Sequence, residues 1–161
     1  MAKKKKDTEP QKHFRQIASN RRAFYNYEIL DRYEAGLVLK GTEIKSLRAG
    51  RADLRDGYAR PQGGELWLVN TYIAPYDPAS VLSHEPRRPR KLLLHREQID
   101  QMRSLVAEKR LTIVPLRLYI KGHVAKVELG LARGKRQYDK RRAIKDKELD
   151  LEARRALGSA R

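Results

Sequence analysis

Thr112-Ile113-Val114-Pro115-Leu116-Arg117-Leu118-Tyr119-Ile120-Lys121-Gly122-His123-Val124-Ala125-Lys126-Val127-Glu128-Leu129-Gly130-Leu131 is the most regular stretch of this 161-residue sequence. Large apolar residues recur at every second position through Leu116, Leu118 and Ile120, and again through Val127, Leu129 and Leu131. A period of two belongs to an extended chain with one face buried. Lys121-Gly122-His123 separates the two runs as a turn would, so the pair predicts a β-hairpin with one face in a core.

Working outward toward the N-terminus, Ile99, Met102, Leu105 and Val106 repeat at helical spacing and predict a helix over Arg96–Lys109. Before it stands Leu92-Leu93-Leu94. Residues 74–90 carry Pro75, Pro78, Pro86 and Pro89, which fix φ and remove donors, so a long loop is expected there, ending in Arg87, Arg88, Arg90 and Lys91. A β-meander precedes the loop. Asp56 to Arg60 form one strand, Pro61-Gln62-Gly63-Gly64 a turn, and Glu65 to Tyr72 the return, with Leu66 and Leu68 on one face and Trp67 and Val69 on the other. Thr42 is placed to cap a short helix through Arg48 that Gly50 closes. Ile44 and Leu47 share its apolar face, with Lys45 and Arg48 on a neighbouring basic one. Leu37-Val38-Leu39 and the alternation from Tyr27 through Ile29 and Tyr33 predict strands, and Ser19 or Asn20 can cap a turn through Ala23.

The ends differ in character. Residues 1–18, headed by Lys3 to Lys6, read as a disordered basic arm. Residues 135–161 hold few large apolar side chains, and the pairs Arg142–Asp146 and Asp150–Arg154 are too weak to sustain an isolated helix, so a tail disordered when free and helical when docked is expected. The fold predicted is mainly β with flanking α-helices: a small OB-like β-barrel over 19–134 with about three short helices and a flexible C-terminal tail. Other small α+β folds share the pattern.

Lys and Arg number 37 against 20 Asp and Glu, a formal net charge of +17. Such an excess points to a polyanionic partner, nucleic acid first, because neutralising phosphates releases condensed counterions. No stretch has the ~20 apolar residues of a membrane-spanning helix. Cysteine is absent, and no apolar core follows the N-terminal lysines, so no disulfide or signal peptide is expected and the cytoplasm is the default compartment. His13, His84, His95 and His123 make no metal-ligand spacing, and no nucleophile elbow or phosphate loop occurs. Glu34, Glu43, Asp53 and Asp56 are expected in ion pairs with neighbouring arginines rather than around a metal. No catalytic residue, metal or cofactor is predicted.

Four segments stand out: Glu34-Ala35-Gly36, Gly41-Thr42-Glu43-Ile44-Lys45-Ser46-Leu47-Arg48-Ala49-Gly50, Arg90-Lys91-Leu92-Leu93-Leu94 and Gly134-Lys135-Arg136-Gln137-Tyr138-Asp139-Lys140-Arg141. In this order the sequence resembles the family of SsrA-binding proteins (small protein B) over residues 19–150. The resemblance implies an OB-like barrel that binds the tRNA-like domain of transfer-messenger RNA. It further implies delivery of that RNA, with elongation factor Tu, to stalled bacterial ribosomes for trans-translation, and a tail that becomes helical in the empty mRNA channel beside the decoding centre. Carried over by position, Asn20, Glu34, Lys45, Arg48, Leu93, His95, Lys126 and Arg133 are the RNA-contacting candidates. Lysine and arginine meet phosphates, Asn20 and Glu34 offer directional bonds to bases or ribose, and Leu93 offers apolar contact. His95 replaces an asparagine of some relatives.

For the tail, the resemblance implies a hinge at Gly134, contacts to ribosomal RNA by Lys135, Arg136, Lys140, Arg141 and Lys145, and a stacking ring at Tyr138 beside Asp139, where several relatives carry histidine. Ile144 and Leu149 are its apolar anchors, Leu149 standing where some relatives have tryptophan. A ribosomal protein or ribosome-maturation factor that binds structured rRNA is the alternative. A monomer is the default.

Overall fold

The computed structural model describes residues 14–76 and 83–158. Their order is β1 (Phe14–Ser19), α1 (Arg21–Asn26), β2 (Tyr27–Leu37), α2 (Gly41–Arg48), β3 (Ala52–Asp53), β4 (Tyr58–Gln62), β5 (Glu65–Val69), β6 (Tyr72–Ile73), β7 (Arg90–Leu93), α3 (Arg96–Lys109), β8 (Thr112–Lys121), β9 (Val124–Gly134) and α4 (Gln137–Gly158). The strands hydrogen-bond in the order β8-β4-β5-β7-β2-β9, and β9 returns to β8, so six antiparallel strands close a ring. The one edge of β8 is shared. β4 meets it at Ile113, and β1 covers Arg117 to Lys121. β3 and β6 form a separate two-stranded sheet. The predicted mainly β architecture with flanking helices is present.

Inward residues of the ring make the core: Tyr33, Ala35 and Leu37 of β2, Leu66 and Leu68 of β5, Leu92 of β7, and Val127, Leu129 and Leu131 of β9, closed by Leu47 of α2 and Met102 of α3. A smaller cluster on the outside joins Ala23 of α1 to Val114, Leu116 and Ala132. Leu116 was expected to share a face with Leu118. The β8–β9 register shifts between Pro115 and Arg117, and this bulge turns Leu116 toward α1 and leaves Leu118 in the core. Proline, which cannot donate to a ladder, is tolerated at such a bulge. Gly130 makes the room, because a Cβ there would stand 3.0 Å from Leu116 Cδ1.

Several boundaries differ from expectation. Residues 14–18, assigned to the disordered arm, belong to β1, because β8 offers an open edge beside them and Phe14 stacks on Tyr119 with ring centroids 4.8 Å apart. The rest of the arm, 1–13, lies outside the described residues, as do Pro78 and residues 159–161. β2 ends at Leu37, and β4 starts at Tyr58 and includes Pro61. Lys40, not Thr42, is the residue before α2, its N–H donating to Glu43 Oε1 at 3.0 Å. The Thr42 hydroxyl instead donates to Nδ1 of buried His84, whose Nε2–H donates to the Ile73 carbonyl, each at 3.0 Å. The segment after Gly134, expected to be disordered when free and helical when docked, holds a 22-residue helix built from good helix formers, with an Asp150–Arg154 pair at 3.1 Å.

Arg90, expected at the end of a basic loop, is instead fully buried. Its guanidinium donates to Glu43 of α2, to the Thr71 carbonyl at 2.7 Å and to the Pro86 carbonyl at 3.1 Å. Arg88 reaches the other oxygen of the same carboxylate. Burial alone would push the Glu43 carboxyl up, but the Lys40 N–H and the two guanidinium groups outweigh it and hold it below the usual range. A folded-state pKa below the unfolded one gives stability that is present above the ordinary carboxylate range and lost as pH falls through the lowered value. Glu43→Ala, which strands a buried arginine, is expected to cost about 3–5 kcal/mol in urea denaturation at neutral pH. The deficit should narrow on acidification below the usual carboxylate range.

Candidate nucleic-acid interface

Strand alternation sorts each ring strand into a core face and an outer face. With Arg90 and Leu92 turned inward, Lys91 and Leu93 of β7 point out. With Ala35 and Leu37 inward, Glu34 and Gly36 of β2 point out, and Lys126 of β9 lies opposite Gly36. The register therefore brings three of the predicted residues, Glu34, Leu93 and Lys126, onto one continuous outer surface. Leu93 is 52% exposed, far from the core packing that its residue type alone suggests. It lies against Gly36, where a Cβ would stand 3.3 Å from Leu93 Cβ.

Glu34 sits among cations. Lys126 Nζ is 3.3 Å and Lys121 Nζ 4.0 Å from its carboxylate, and the Tyr119 hydroxyl donates to it. The Tyr119 hydrogen bond, with Lys126 and Lys121 behind it, holds the Glu34 carboxyl below its ordinary value against the opposing effect of burial. Burial, then the Glu34 bond and charge, push the Tyr119 hydroxyl up. Tyr119 thus orients a half-exposed acceptor between two lysines. Such an acceptor can take a bond from a ribose hydroxyl or a base amine while the lysines meet phosphates. His95 is exposed just before α3, its N–H donating to Gln98 Oε1 at 3.3 Å.

The other candidates have neighbours of their own. Arg48 of α2 lines a small depression with Arg15, Ile120, Gly122 and His123 at the β8–β9 turn. Lys45 is exposed and stands 5.2 Å from the Tyr76 ring centroid. Arg133 lies at the far end of β9, in a groove with Glu28, Arg136, Arg142 and Asp146. Asn20 lines the open groove beside α1 but is largely enclosed. It is 2% exposed, its Oδ1 accepts from the Ala23 N–H, and its amide donates to the Leu54 and Pro115 carbonyls at 3.2 and 2.9 Å. Those bonds cap α1 and tie it to β8, so the side chain has no donor to spare for a ligand.

In the C-terminal segment, Gly134 is the last strand residue, paired with Tyr27. Lys135 is tied down: its N–H donates to the Asn26 carbonyl at 2.8 Å and its Nζ to that of Phe24 at 3.4 Å. Lys140 stands 5.8 Å from the Tyr25 ring centroid. Arg136, Arg141, Lys145 and Leu149 are exposed, as is Ile144 at its margin. The side chains of Tyr138 and Asp139 lie outside the described residues. Sequence reasoning missed the partners that shape these sites, Tyr119, Lys121, Arg15 and His123, because they come together only through strand register. It also missed an open groove beside α1 where Arg22, Tyr25, Arg55, Tyr58 and Asn70 meet. Among the described residues no acidic or histidine cluster could hold a metal ion, and no helix is long and apolar enough to cross a membrane.

Two consequences can be measured. Asn20→Ala loses a helix cap and strands two carbonyls, so urea denaturation should show a loss of about 1–3 kcal/mol. Tyr119→Phe should move the Glu34 carboxyl pKa upward in a ¹³C NMR titration.

Comparison with known proteins gives one consistent result. The model of the family described as SmpB protein matches residues 17–159. An SsrA-binding protein of Thermobifida fusca is 54% identical over 157 residues, covering 98% of both chains. One of Acidothermus cellulolyticus is 56% identical over 142 residues, 88% of this chain and 89% of its own. A solved structure described as "tmRNA-SmpB: a journey to the center of the bacterial ribosome" superposes with a TM-score of 0.64 at 51% identity, over 79% of this chain and 93% of that one. A closed ring of strands with a cationic outer face, matched by sequence along nearly its whole length, makes this chain a member of the SmpB protein family.

Proposed function

We propose that this protein is an RNA-binding adaptor that holds the tRNA-like domain of transfer-messenger RNA on the outer face of its strand ring and brings it to stalled ribosomes for trans-translation. The observation that carries the reading is the single outer surface on which Leu93 stands exposed beside the oriented Glu34 and the lysines around it, in a chain of net charge +17. It gains support from relatives that are named SsrA-binding proteins and from a solved neighbour described with tmRNA and the ribosome. The work is recognition and positioning: phosphate contacts set affinity, and the Glu34 acceptor and the Leu93 surface give discrimination. No step of it calls for a catalytic residue or cofactor.

The second half of the reading concerns α4. Most of its described side chains face solvent, and near its root Lys140 approaches Tyr25 while Lys135, just before the helix, is bonded to the Phe24 and Asn26 carbonyls. A basic helix standing clear of its own domain suits a second polyanionic surface. We assign it to the decoding centre and the mRNA channel, with Arg136, Arg141 and Lys145 at phosphates and with Tyr138, Ile144 and Leu149 as anchors. In this scheme the protein works as a cytoplasmic monomer, and elongation factor Tu accompanies the RNA.

Truncation after Gly134 separates the two surfaces. In a reconstituted system, the shortened chain should bind a tRNA-like RNA within a few-fold of full-length affinity and fail to support tagging on ribosomes stalled without a stop codon. Loss of RNA binding on truncation would refute this division. Preference for ribosomal RNA over the tRNA-like RNA would point instead to a ribosomal protein or maturation factor.

A further inference from the structure

The outer face does not end at Leu93. On β7, Lys91 stands two residues before Leu93 and points the same way. Lys91 pairs directly with Trp67 of β5, and Trp67 pairs directly with Arg60 of β4. Directly opposed residues in a sheet share a face with their Cβ atoms about 5 Å apart. Arg60, Trp67 and Lys91 therefore form one row across three strands, continuous with Leu93. Trp67 is half-buried, its neighbours Leu66 and Leu68 filling the core behind it, so the indole is fixed in place rather than loosely tethered. It floors an open depression whose other walls are Arg60, Gln62, Gly63, Glu65 and Pro89. At the rim, the Arg96 guanidinium approaches within 3.7 Å of the position a Gly64 Cβ would take.

Three features favour a nucleotide as the occupant. The charge is complementary: Arg60 and Arg96 are exposed at the edges, and Lys91 is partly offset by its 2.9 Å pair with Glu65. The ring carries no cation of its own: rings of Phe24, Tyr72, Tyr76 and Tyr25 each take a cation from the chain itself, and Trp67, half-buried at the floor of the depression, takes none among the described residues. The surface is also continuous with the candidate RNA face. A fixed aromatic floor with cations at its rim suits one unpaired base, stacked on the ring with its phosphates at the guanidinium groups.

The geometry points to Trp67 as a base-stacking platform for an unpaired nucleotide of the bound RNA, with Arg60 and Arg96 holding the flanking phosphates. This rests on the proposed RNA-binding reading and extends its face by two strands. Because Trp67 is the only tryptophan in the chain, its emission reports on this spot alone.

The test titrates the full chain with a transcribed tRNA-like RNA that has unpaired loops, and in parallel with a fully paired RNA duplex. Tryptophan emission should be quenched by the looped RNA, saturating where a gel mobility shift saturates, and the duplex should leave it unchanged. Trp67→Phe should keep most of the affinity, and Trp67→Ala should lose roughly 5- to 150-fold. Arg60→Ala should lower the salt slope by about one phosphate. A saturated mobility shift with unchanged emission and undiminished Trp67→Ala binding overturns the platform and leaves the RNA-binding reading standing. Equal quenching by the duplex overturns the assignment to an unpaired base. No mobility shift with either RNA overturns both. Should Trp67→Ala fail to fold, the emission of the unaltered chain still decides.

Discussion

Arg90 is the residue on which the geometry of the proposed RNA face depends. A guanidinium with no exposure to water is held by a carboxylate from α2, a carbonyl just before β6 and a carbonyl from the loop before β7. A buried charge of this kind is tolerable only if every donor is spoken for and its partner is close. Each of its three nitrogens has such a partner, and the partners come from three separate segments. Because side chains alternate along a strand, fixing Arg90 inward fixes Lys91 and Leu93 outward. A slip of one residue in β7 would strand the charge and turn the binding face over at once. The ion pair thus sets the register of the functional surface as well as holding α2 against the ring.

The same logic separates what was legible in the sequence from what was not. The β8–β9 hairpin, α3 and the burial pattern of β5 follow from periodicity, because each buries one face and local spacing reports it directly. The place of Leu116 does not follow, since a bulge at Pro115 reverses parity in mid-strand and spacing on either side looks unbroken. β1 was hidden for another reason. Phe14 to Ser19 alternates poorly, and its strand exists because β8 has an edge that β4 leaves open. Arg90 looked like one more arginine in a basic loop, and nothing in its neighbours reveals a carboxylate 47 residues away.

The candidate site divides in the same way. Residue type and family likeness picked out Glu34, Leu93 and Lys126, and strand register assembles them. Family likeness also picked out Asn20, which caps α1 and fastens it to β8. Its importance to the fold and its absence from the exposed surface are compatible, because α1 is what the C-terminal helix leans on. Tyr119, Trp67 and Arg60 were overlooked as candidates since each owes its place to a partner on another strand.

The attachment of α4 has a mechanical side. A helix of 22 residues extends about 33 Å, more than the thickness of many small domains. It is fastened at its root, where Lys135, two residues before the helix, is bonded to the Asn26 and Phe24 carbonyls and Lys140 rests near Tyr25. Tilting that root by about 10° would sweep the distal end through about 6 Å, the width of a nucleotide step or more. Aim at long range is therefore delegated to one short helix, α1. Small substitutions around Phe24, Tyr25 and Asn26 would be felt as errors of targeting far from where they occur.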